Sequence, residues 1–468
     1  MIRSHELSAS PAEWDLDLVR RYAVPGPRYT SYPPANKFHT DLTAVDLEQA
    51  IADDNRPGAG PISLYLHLPL CESRCWYCGC TTIVTRRRDW AYTYLDILER
   101  EIALVAARID RRRPVVQLHF GGGTPTFFPP DALARLGQTL RRHFTFAADA
   151  EISVEIDPRR VTREHIDVLR ALGVNRASLG IQDTDLAVQR AINRVQPQSD
   201  NLRVVDWLRQ AGITAINLDL IYGLPRQTPA SVRQTVADAL ALRPDRLSVF
   251  SYAHVPWIKP AQRIFEQRDQ LLGPEQKLQL FAVIRQELLE EGFIDVGLDH
   301  FARPDDELAQ AHRDGNLHRN FQGYSTRPGA SLYGFGLSAI SATPDVYWQS
   351  PKSLADYRAA IAAGQLPAER GYRLTAEDQR RRRIIMAIMC RRRLDFDELS
   401  AEFGFDFALS YFDCLQALAP MLLDHLLTLD ESGLQVLPRG EPLLRVIAMA
   451  FDETYQLSPT VRAHASTV

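Results

Sequence analysis

The chain has 468 residues, of which 45% are hydrophobic and 24% are charged, and its formal net charge is −4. These proportions are typical of a globular protein with two or three domains, or of one large barrel with additions. The slight negative charge argues against a general nucleic-acid binder. No apolar run reaches membrane-spanning length, so we expect a protein of the reducing cytoplasm without a membrane span.

Prolines interrupt the beginning of the chain and predict an extended N-terminal arm over residues 1–60. Pro25, Pro27, Pro33 and Pro34 each disfavour regular structure. One short helix is predicted within the arm, over residues 43–53.

Six β-rich runs alternate with helical patterns between residues 61 and 300, which predicts an α/β fold with a parallel sheet. A seventh strand is predicted over Ile294–Asp299, after a long predicted helix. The six runs are Ile62–His67, Val115–Phe120, Glu151–Ile156, Arg176–Ile181, Ala215–Ile221 and Leu247–Tyr252.

We assign residues 301–370 to an extension or linker and residues 371–468 to a mainly helical C-terminal domain. Thr375 and Asp378 form a plausible capping pair for its first helix. A small hairpin is predicted over residues 427–437. Helices with a hairpin indicate a winged-helix-like module, which in an acidic chain we interpret as a scaffold rather than a DNA reader.

Four of the six cysteines lie within ten residues, as Cys71, Cys75, Cys78 and Cys80. Thiolates this close repel one another unless a metal compensates their charge. The remaining two cysteines are distant from this motif, lie in apolar surroundings, and are interpreted as packed core thiols.

Three interpretations compete for this C-x3-C-x2-C-x-C motif. A disulfide staple is disfavoured because a chain of this length can build its core without one. A structural zinc site usually takes ligand pairs from two separated knuckles, and only one cysteine-rich loop is present. An iron–sulfur cluster fits best, since closely spaced thiolates on one loop hold such clusters.

Other site candidates lie at the ends of predicted strands. A glycine run, 121–123, follows the second strand, and Glu155 ends the third, where a carboxylate could bind ribose hydroxyls. Asp219 lies inside an apolar run, where a charge is costly unless it is paired or used.

The cysteine spacing, with the aromatic Tyr77 before the third cysteine, resembles the signature of the radical S-adenosylmethionine (SAM) superfamily. The resemblance implies a partial (βα)6 radical-SAM barrel. It also implies a [4Fe-4S] cluster whose ligands are Cys71, Cys75 and Cys78, with the fourth iron left open to SAM. These cysteines, together with Tyr65, would be the catalytic residues.

Within that superfamily, the chain is similar over nearly its whole length to the oxygen-independent coproporphyrinogen III oxidase family. The resemblance is carried by segments such as Tyr65-Leu-His-Leu-Pro69, Asp219-Leu-Ile-Tyr-Gly-Leu-Pro225 and His318-Arg-Asn-Phe-Gln-Gly323. It implies two bound SAM molecules and excludes Cys80 as a cluster ligand. Tyr65, Gly122, Glu155 and Ile340 would serve the cluster-bound SAM, and Tyr77, Gly123, Thr124, Gln182, Arg194, Asp219 and Ala253 would serve the second.

The implied reaction is the oxidative decarboxylation of two propionates of coproporphyrinogen III to vinyl groups by a 5′-deoxyadenosyl radical, giving protoporphyrinogen IX in haem biosynthesis. Such a reaction also needs an electron donor and an electron acceptor, which the sequence does not identify, and we expect a monomer. Cations should meet the substrate carboxylates. The candidates are Arg28, Arg303, Arg319, His300 and His318.

Three alternatives remain open at this point: a haem-chaperone-like protein, another radical-SAM protein acting on a tetrapyrrole, and a nucleic-acid binder with a redox-sensing cluster. Cys80 favours the oxidase over the chaperone, since the chaperone relatives generally lack this cysteine. Leu70 and Thr184 depart from the family pattern, in which phenylalanine is common at both positions.

Overall fold

The computed structural model describes residues 15–22, 24–268 and 271–456. Residues 1–14 of the predicted arm and residues 457–468 of the predicted C-terminal domain lie outside the described residues. Within the described ranges, no helix combines the length and the apolar character that crossing a membrane requires.

One twelve-stranded sheet organises the main body, and six parallel strands form its centre. In chain order these are β1 (Ile62–Leu68), β2 (Val115–Gly122), β3 (Phe146–Ile156), β4 (Arg176–Gln182), β5 (Ala215–Tyr222) and β6 (Arg246–Ser251). They are neighbours in the same order, as repeated right-handed βα units require. The predicted six-stranded parallel sheet is therefore confirmed.

Six further strands extend this sheet on both sides. They are β7 (Ile294–Gly297), β8 (His300–Ala302), β9 (Ser331–Phe335), β10 (Ile340–Ala342), β11 (Val346–Gln349) and β12 (Arg370–Arg373). Strand β9 pairs parallel with β1, whereas β8 pairs antiparallel with β6. The predicted seventh strand exists as β7, but it is an edge strand antiparallel to β8 rather than a member of the parallel set.

Helices cover the outer face of the sheet and pack their apolar sides against it. Thr228 begins one of them with a capping box to Ser231, which satisfies amide groups that the first helical turn leaves unpaired. The helices of the main body are Asp89–Ala106, Pro130–His143, Arg163–Ala171, Leu186–Ala191, Gln198–Gln210, Pro229–Leu240, Ile264–Arg268, Pro274–Glu290, Glu307–Arg313 and Leu354–Ala362.

Strand alternation places polar side chains on the inner face of the sheet. In β1, Leu64, Leu66 and Leu68 are fully buried in the core against the helices, while the residues between them turn inward. Ser63 of β1 thus donates a hydrogen bond to Gln117 of β2 at 3.0 Å. The same alternation along β2 to β6 gives the sheet a polar interior.

The C-terminal part of the chain combines short helices with a three-stranded antiparallel sheet. The strands are Arg393–Asp395, Leu427–Leu429 and Gly433–Val436, so the predicted hairpin is confirmed and a third strand joins it. The helices are Ala376–Arg391, Phe396–Phe403, Phe407–Ser410, Phe412–Gln416, Ala419–Leu423, Leu444–Met449 and Glu453–Gln456. Thr375 and Asp378 form the predicted capping box.

The N-terminal arm lies between the main body and the C-terminal part. It contains the helices Leu16–Tyr22 and Ala44–Asp54, and the second begins with a capping box at Thr43. Tyr29 and Tyr32 of the arm are almost completely buried in the same core as the C-terminal helices. The arm is therefore packed as an integral part of the fold.

Candidate active site

The cysteine loop leaves the carboxyl end of β1, where parallel α/β proteins place their sites. Leu70–Cys71 pairs with Ile83–Val84 and closes the base of the loop. Elements from elsewhere in the chain fasten its tip. The side chain of Asn193 donates to the carbonyl of Arg74 at 2.8 Å, and Lys259 Nζ donates to the carbonyl of Cys80 at 2.9 Å.

The three predicted ligands, Cys71, Cys75 and Cys78, are half-buried and line one cavity of about 240 Å³, together with the exposed Cys80. Burial raises the pKa of the Cys71 thiol to about 12. A hydrogen bond from Cys80 is the main cause that lowers the pKa of Cys78 to about 6. A deprotonated Cys71 would therefore need strong positive charge beside it.

This donor set fits an iron–sulfur cluster. Three thiols share one cavity, and iron supplies the charge that a buried thiolate requires. Among the residues that the structure describes, no three His, Cys, Asp or Glu side chains converge as they would around a single metal ion. A cubane has no such requirement, because each thiolate binds a different iron.

The glycine run at the end of β2 packs directly under the cysteine loop. Gly122 has a φ of +110°, and a Cβ there would lie 2.8 Å from the His67 ring. A Cβ on Gly123 would lie 2.6 Å from the carbonyl of Pro69. The amides of Gly123 and Thr124 donate to carbonyls on either side of Pro69. Only glycine allows this close approach of two backbones.

His67 connects the cysteine loop to β1. Its ring is buried, with one nitrogen 3.0 Å from the hydroxyl of Tyr65 and the other 2.8 Å from the carbonyl of Thr81. Tyr65 also stacks on His119 of β2. The predicted catalytic tyrosine is thus oriented by two histidines, neither of which is predicted from the sequence as a site residue.

Glu155, at the end of β3, lies between the glycine turn and His119. Its carboxylate accepts the Gly122 amide at 3.1 Å and lies 3.3 Å from Nε2 of His119. Burial raises the pKa of Glu155, but these contacts outweigh that effect and the net shift is downward. An ionised Glu155 in the cavity wall can accept hydrogen bonds from the hydroxyl groups of a ligand.

Arg194 links the ends of β3 and β4 to the cysteine loop. It is buried, and it donates to the carbonyl of Gly180 at 2.7 Å and to Asp157 at 3.2 Å. Arg159 donates to the same Asp157 carboxylate at 2.6 Å. Burial opposes ionisation of Asp157, yet the two guanidinium groups hold its pKa well below the ordinary value.

Asp219 of β5 lines the same cavity as Glu155. It accepts hydrogen bonds from Ser178 at 2.9 Å and from Asn217 at 2.8 Å. Burial, together with the negative charge of Glu155, raises the pKa of Asp219 to about 6. Gln182 lines the same cavity with a φ of +70° at the end of β4.

The structure brings most of the predicted cofactor residues to this cavity, but not all of them. Tyr77, Gly122, Gly123, Thr124, Glu155, Gln182, Arg194 and Asp219 line it with the cysteines. Tyr65 contacts His67 and His119 rather than lining the cavity, Ala253 lines a neighbouring cavity, and Ile340 packs in a separate apolar cluster with Phe38 and Tyr347. The buried Gln262 joins two of the predicted positions, since it donates to the carbonyls of both Tyr77 and Ala253. Gln262 lies in a short 3-10 helix, Pro260–Arg263, and a single amide there carries no sequence signal that would have identified it.

The parallel sheet and the cysteine loop at its carboxyl end define a protein of the radical SAM superfamily. The family model of that superfamily matches residues 65–239. The family model of the HemN C-terminal domain matches residues 374–443. The oxygen-independent coproporphyrinogen III oxidase of Escherichia coli is 44% identical, over 95% of this chain and 96% of its own length. The proteins of the same name from Pseudomonas aeruginosa and Bradyrhizobium diazoefficiens are 43% and 45% identical, each over 94% of this chain. The chain belongs to the oxygen-independent coproporphyrinogen III oxidase family.

The solved structure of the Escherichia coli relative, described as coproporphyrinogen III oxidase (HemN) and as a radical SAM enzyme, has the same fold. It superposes with a TM-score of 0.89, covering 95% of this chain and all of the solved chain. The predicted fold class is thereby confirmed. Membership of the radical SAM superfamily implies that a [4Fe-4S] cluster and SAM are the cofactors.

Proposed function

We propose that this protein catalyses the oxygen-independent conversion of two propionate side chains of coproporphyrinogen III to vinyl groups in haem biosynthesis. Each propionate loses a hydrogen atom, CO2 and one electron, so an electron acceptor completes the reaction. The observation that carries the proposal is the cavity in which three cysteines meet the glycine turn, Glu155 and Asp219, in a chain that matches its relatives over nearly their full length.

The β-carbon of a propionate carries an unactivated C–H bond, which no side-chain base can deprotonate. When bound, the cluster and SAM supply the one-electron chemistry that removes this hydrogen. Cys71, Cys75 and Cys78 would hold the cluster. The protein's own contribution is to position both reactants and to exclude water from the cavity.

The carboxylates and backbone groups of the cavity would bind and orient SAM. The Glu155 carboxylate would accept hydrogen bonds from ribose hydroxyls. It also accepts the Gly122 amide at 3.1 Å, and this hydrogen bond would fix the position of the backbone beside SAM. Tyr65 would close the inner side of the site, with its hydroxyl directed by His67.

A second SAM molecule is part of the proposal. The proposal assigns Tyr77, Gly123, Thr124, Gln182, Arg194 and Asp219 to that second molecule, and it is supported by the fact that all six line the cavity. We retain Ala253 as a contact of the second SAM molecule and Ile340 as a contact of the cluster-bound one. We also propose that the chain is divided into domains at about residues 60, 300 and 370. The protein is further proposed to be a cytoplasmic monomer.

Anaerobic incubation of the reconstituted protein with coproporphyrinogen III, SAM, a reductant and an electron acceptor tests the function. We expect a product lighter by two CO2 and four hydrogen atoms per molecule, together with cleaved SAM. Stoichiometric haem binding without turnover would instead support the chaperone alternative. A gain in mass by methyl groups would support a different radical SAM reaction, and either result would reject the proposal.

A further inference from the structure

A second cavity, of about 280 Å³, lies where the arm, the carboxyl ends of β5 and β6, and the C-terminal part meet. We refer to it as the interdomain cavity. Arg28 of the arm, Lys277 of the helix Pro274–Glu290 and Arg445 of the C-terminal part line it. Three segments that are far apart in sequence thus each contribute a cation to one space.

Arg28 is directed into this space by its neighbours in the arm. Pro27 and Tyr29 on either side of it are buried, whereas 41% of the Arg28 side chain remains accessible. Its guanidinium pairs with Asp299 and also lies 5.9 Å from the centre of the Phe250 ring. Arg28 therefore presents its charged end at the cavity surface.

Positive charge predominates in the interdomain cavity. Of the three acidic residues that line it, Asp295 pairs with Arg285 at 2.8 Å and Glu441 pairs with Arg392 at 2.9 Å. Asp299 is then the acid that pairs with Arg28, and Lys277 Nζ donates to the carbonyl of Tyr252 at 2.6 Å. Burial, followed by the repulsion of nearby arginines, lowers the pKa of Arg28 to about 10. An incoming carboxylate would relieve this repulsion.

The interdomain cavity adjoins the cavity that contains the cysteines. Phe250, next to the Arg28 guanidinium, is also part of the wall of the cysteine cavity. Ala253, one of the predicted SAM contacts, lines the interdomain cavity. A molecule that spans Phe250 could place one end at the site of chemistry and another end among the cations.

We infer that the interdomain cavity binds the carboxylate of a substrate propionate that is not the one reacting, with Arg28 and Arg445 as its principal ligands and Lys277 beside them. This inference rests on the proposed function, because it assigns a carboxylate-bearing tetrapyrrole to the adjoining site. Arginine suits the role since its planar guanidinium can bind a carboxylate through two hydrogen bonds. Among the candidates from the sequence, Arg28 lines this cavity, whereas Arg303 is engaged with the carbonyl of Pro244.

Binding of coproporphyrin III, the stable oxidised form of the substrate, to the reconstituted holoenzyme with SAM tests the inference. We expect Arg28→Met and Arg445→Met each to weaken binding about tenfold or more, the loss typical of a hydrogen bond to a charged group. Arg28→Lys and Arg445→Lys should retain much of the affinity. Arg112→Met, which removes an arginine that is 90% exposed, is the control and should change nothing.

The tetramethyl ester of coproporphyrin III provides the matched ligand. Wild-type protein should prefer the acid over the ester and lose that preference at high salt, and the Met variants should bind both ligands alike. Equal wild-type affinity for acid and ester, or full affinity for the acid in both Met variants, would overturn the inference. If the Met variants do not fold, the wild-type comparison of acid and ester decides.

Turnover separates this inference from the proposed function. If wild-type protein fails to convert coproporphyrinogen III, the proposed function itself fails. If wild-type protein converts it and the Met variants show an unchanged KM, only the carboxylate site is rejected. A raised KM with SAM cleavage retained is the expected result.

Discussion

Nη1 of Arg194 lies 3.7 Å from the sulfur of Cys75. The same nitrogen donates to Asp157 at 3.2 Å, and the other end of the guanidinium binds the carbonyl of Gly180. A buried cation thus fastens the middle of the cysteine loop to the ends of β3 and β4. It also places positive charge beside a sulfur that would carry negative charge as a cluster ligand.

Removal of Arg194 should weaken both the loop and the fold. Arg194→Met leaves the Asp157 carboxylate with Arg159 as its remaining ion-pair partner, so we expect the free energy of unfolding to fall by about 2 kcal/mol. Activity should fall more steeply than iron content. Chemical denaturation and iron analysis measure the two effects, with Arg203→Met as a control, because Arg203 forms an exposed pair with Asp200. Unchanged stability would contradict the anchoring role.

The cysteines of the loop should separate into two classes. Cys71→Ala, Cys75→Ala and Cys78→Ala should each lose the cluster and all activity, since a cubane that loses one of its protein ligands is poorly held. Cys80→Ala should keep its iron, because the Cys80 thiol is exposed and the Lys259 contact uses its backbone carbonyl. Iron and sulfide analysis after anaerobic reconstitution measures the difference.

Cys414→Ala, which alters a buried thiol in the C-terminal core, is the control for that series and should keep both iron and activity. Retention of iron and turnover in any of the three ligand variants would contradict the assignment. Loss of iron from Cys80→Ala would make Cys80 a fourth ligand and leave no open iron for SAM.

Gly122 and Gly58 form a matched pair for testing the glycine turn. Both have positive φ, +110° and +86°, but a Cβ at Gly58 would meet nothing within 4 Å, whereas one at Gly122 would press on His67. Gly122→Ala should therefore displace the ring that holds Tyr65 and Thr81, and activity should fall at least tenfold. Gly58→Ala should show only a backbone cost of about 1 kcal/mol and normal activity. Equal activity in the two variants would contradict the explanation.

The sequence predicted the parallel strands and the cysteine loop because their signals are local. Strand periodicity and cysteine spacing each lie within about ten residues of chain. By contrast, the pairing of Ile62 in β1 with Ser331 in β9 joins residues that are far apart, and nothing in either segment specifies its partner. The same holds for the interdomain cavity, where Arg28 and Arg445 become neighbours only after the arm has packed against both parts.

Glu101 shows what helical periodicity alone cannot predict. It lies on the helix Asp89–Ala106 and is completely buried, where it accepts hydrogen bonds from the Gly336 amide at 2.7 Å and from the Tyr357 hydroxyl at 2.5 Å. Burial raises the pKa of Glu101 to about 7. Helical periodicity predicts that this residue lies on a helix. The burial of its carboxyl group depends instead on the 336–357 segment, which is distant in the sequence.

This raised pKa predicts a pH dependence of stability. Because the folded state holds the Glu101 proton more tightly than the unfolded state, the wild type should lose stability as pH rises from about 4.5 to about 7. Glu101→Gln, whose amide oxygen can accept the same hydrogen bonds, should avoid that loss. The unfolding free energy of Glu101→Gln should therefore rise relative to that of the wild type as pH increases, by about 3 kcal/mol at neutral pH.

Denaturation curves measured at several pH values check this expectation. The control is Glu431→Gln, the same substitution at an exposed position in the turn of the hairpin. If the difference in unfolding free energy between Glu101→Gln and wild type stays constant across that pH range, the folded state does not bind the Glu101 proton more tightly than the unfolded state.

The contact between Tyr29 and Asp452 predicts how strongly the arm is attached to the C-terminal part. The Tyr29 hydroxyl donates to Oδ2 of Asp452 at 2.7 Å, and both residues are essentially inaccessible to solvent. Tyr29→Phe removes one donor from a buried carboxylate, so the free energy of unfolding should fall by about 2 kcal/mol. Tyr92→Phe is the matched control, because the Tyr92 hydroxyl also binds a carboxylate, that of Asp131, but at the surface. Its effect should stay below about 0.5 kcal/mol. Equal losses in the two variants would mean that burial adds nothing to the Tyr29 contact.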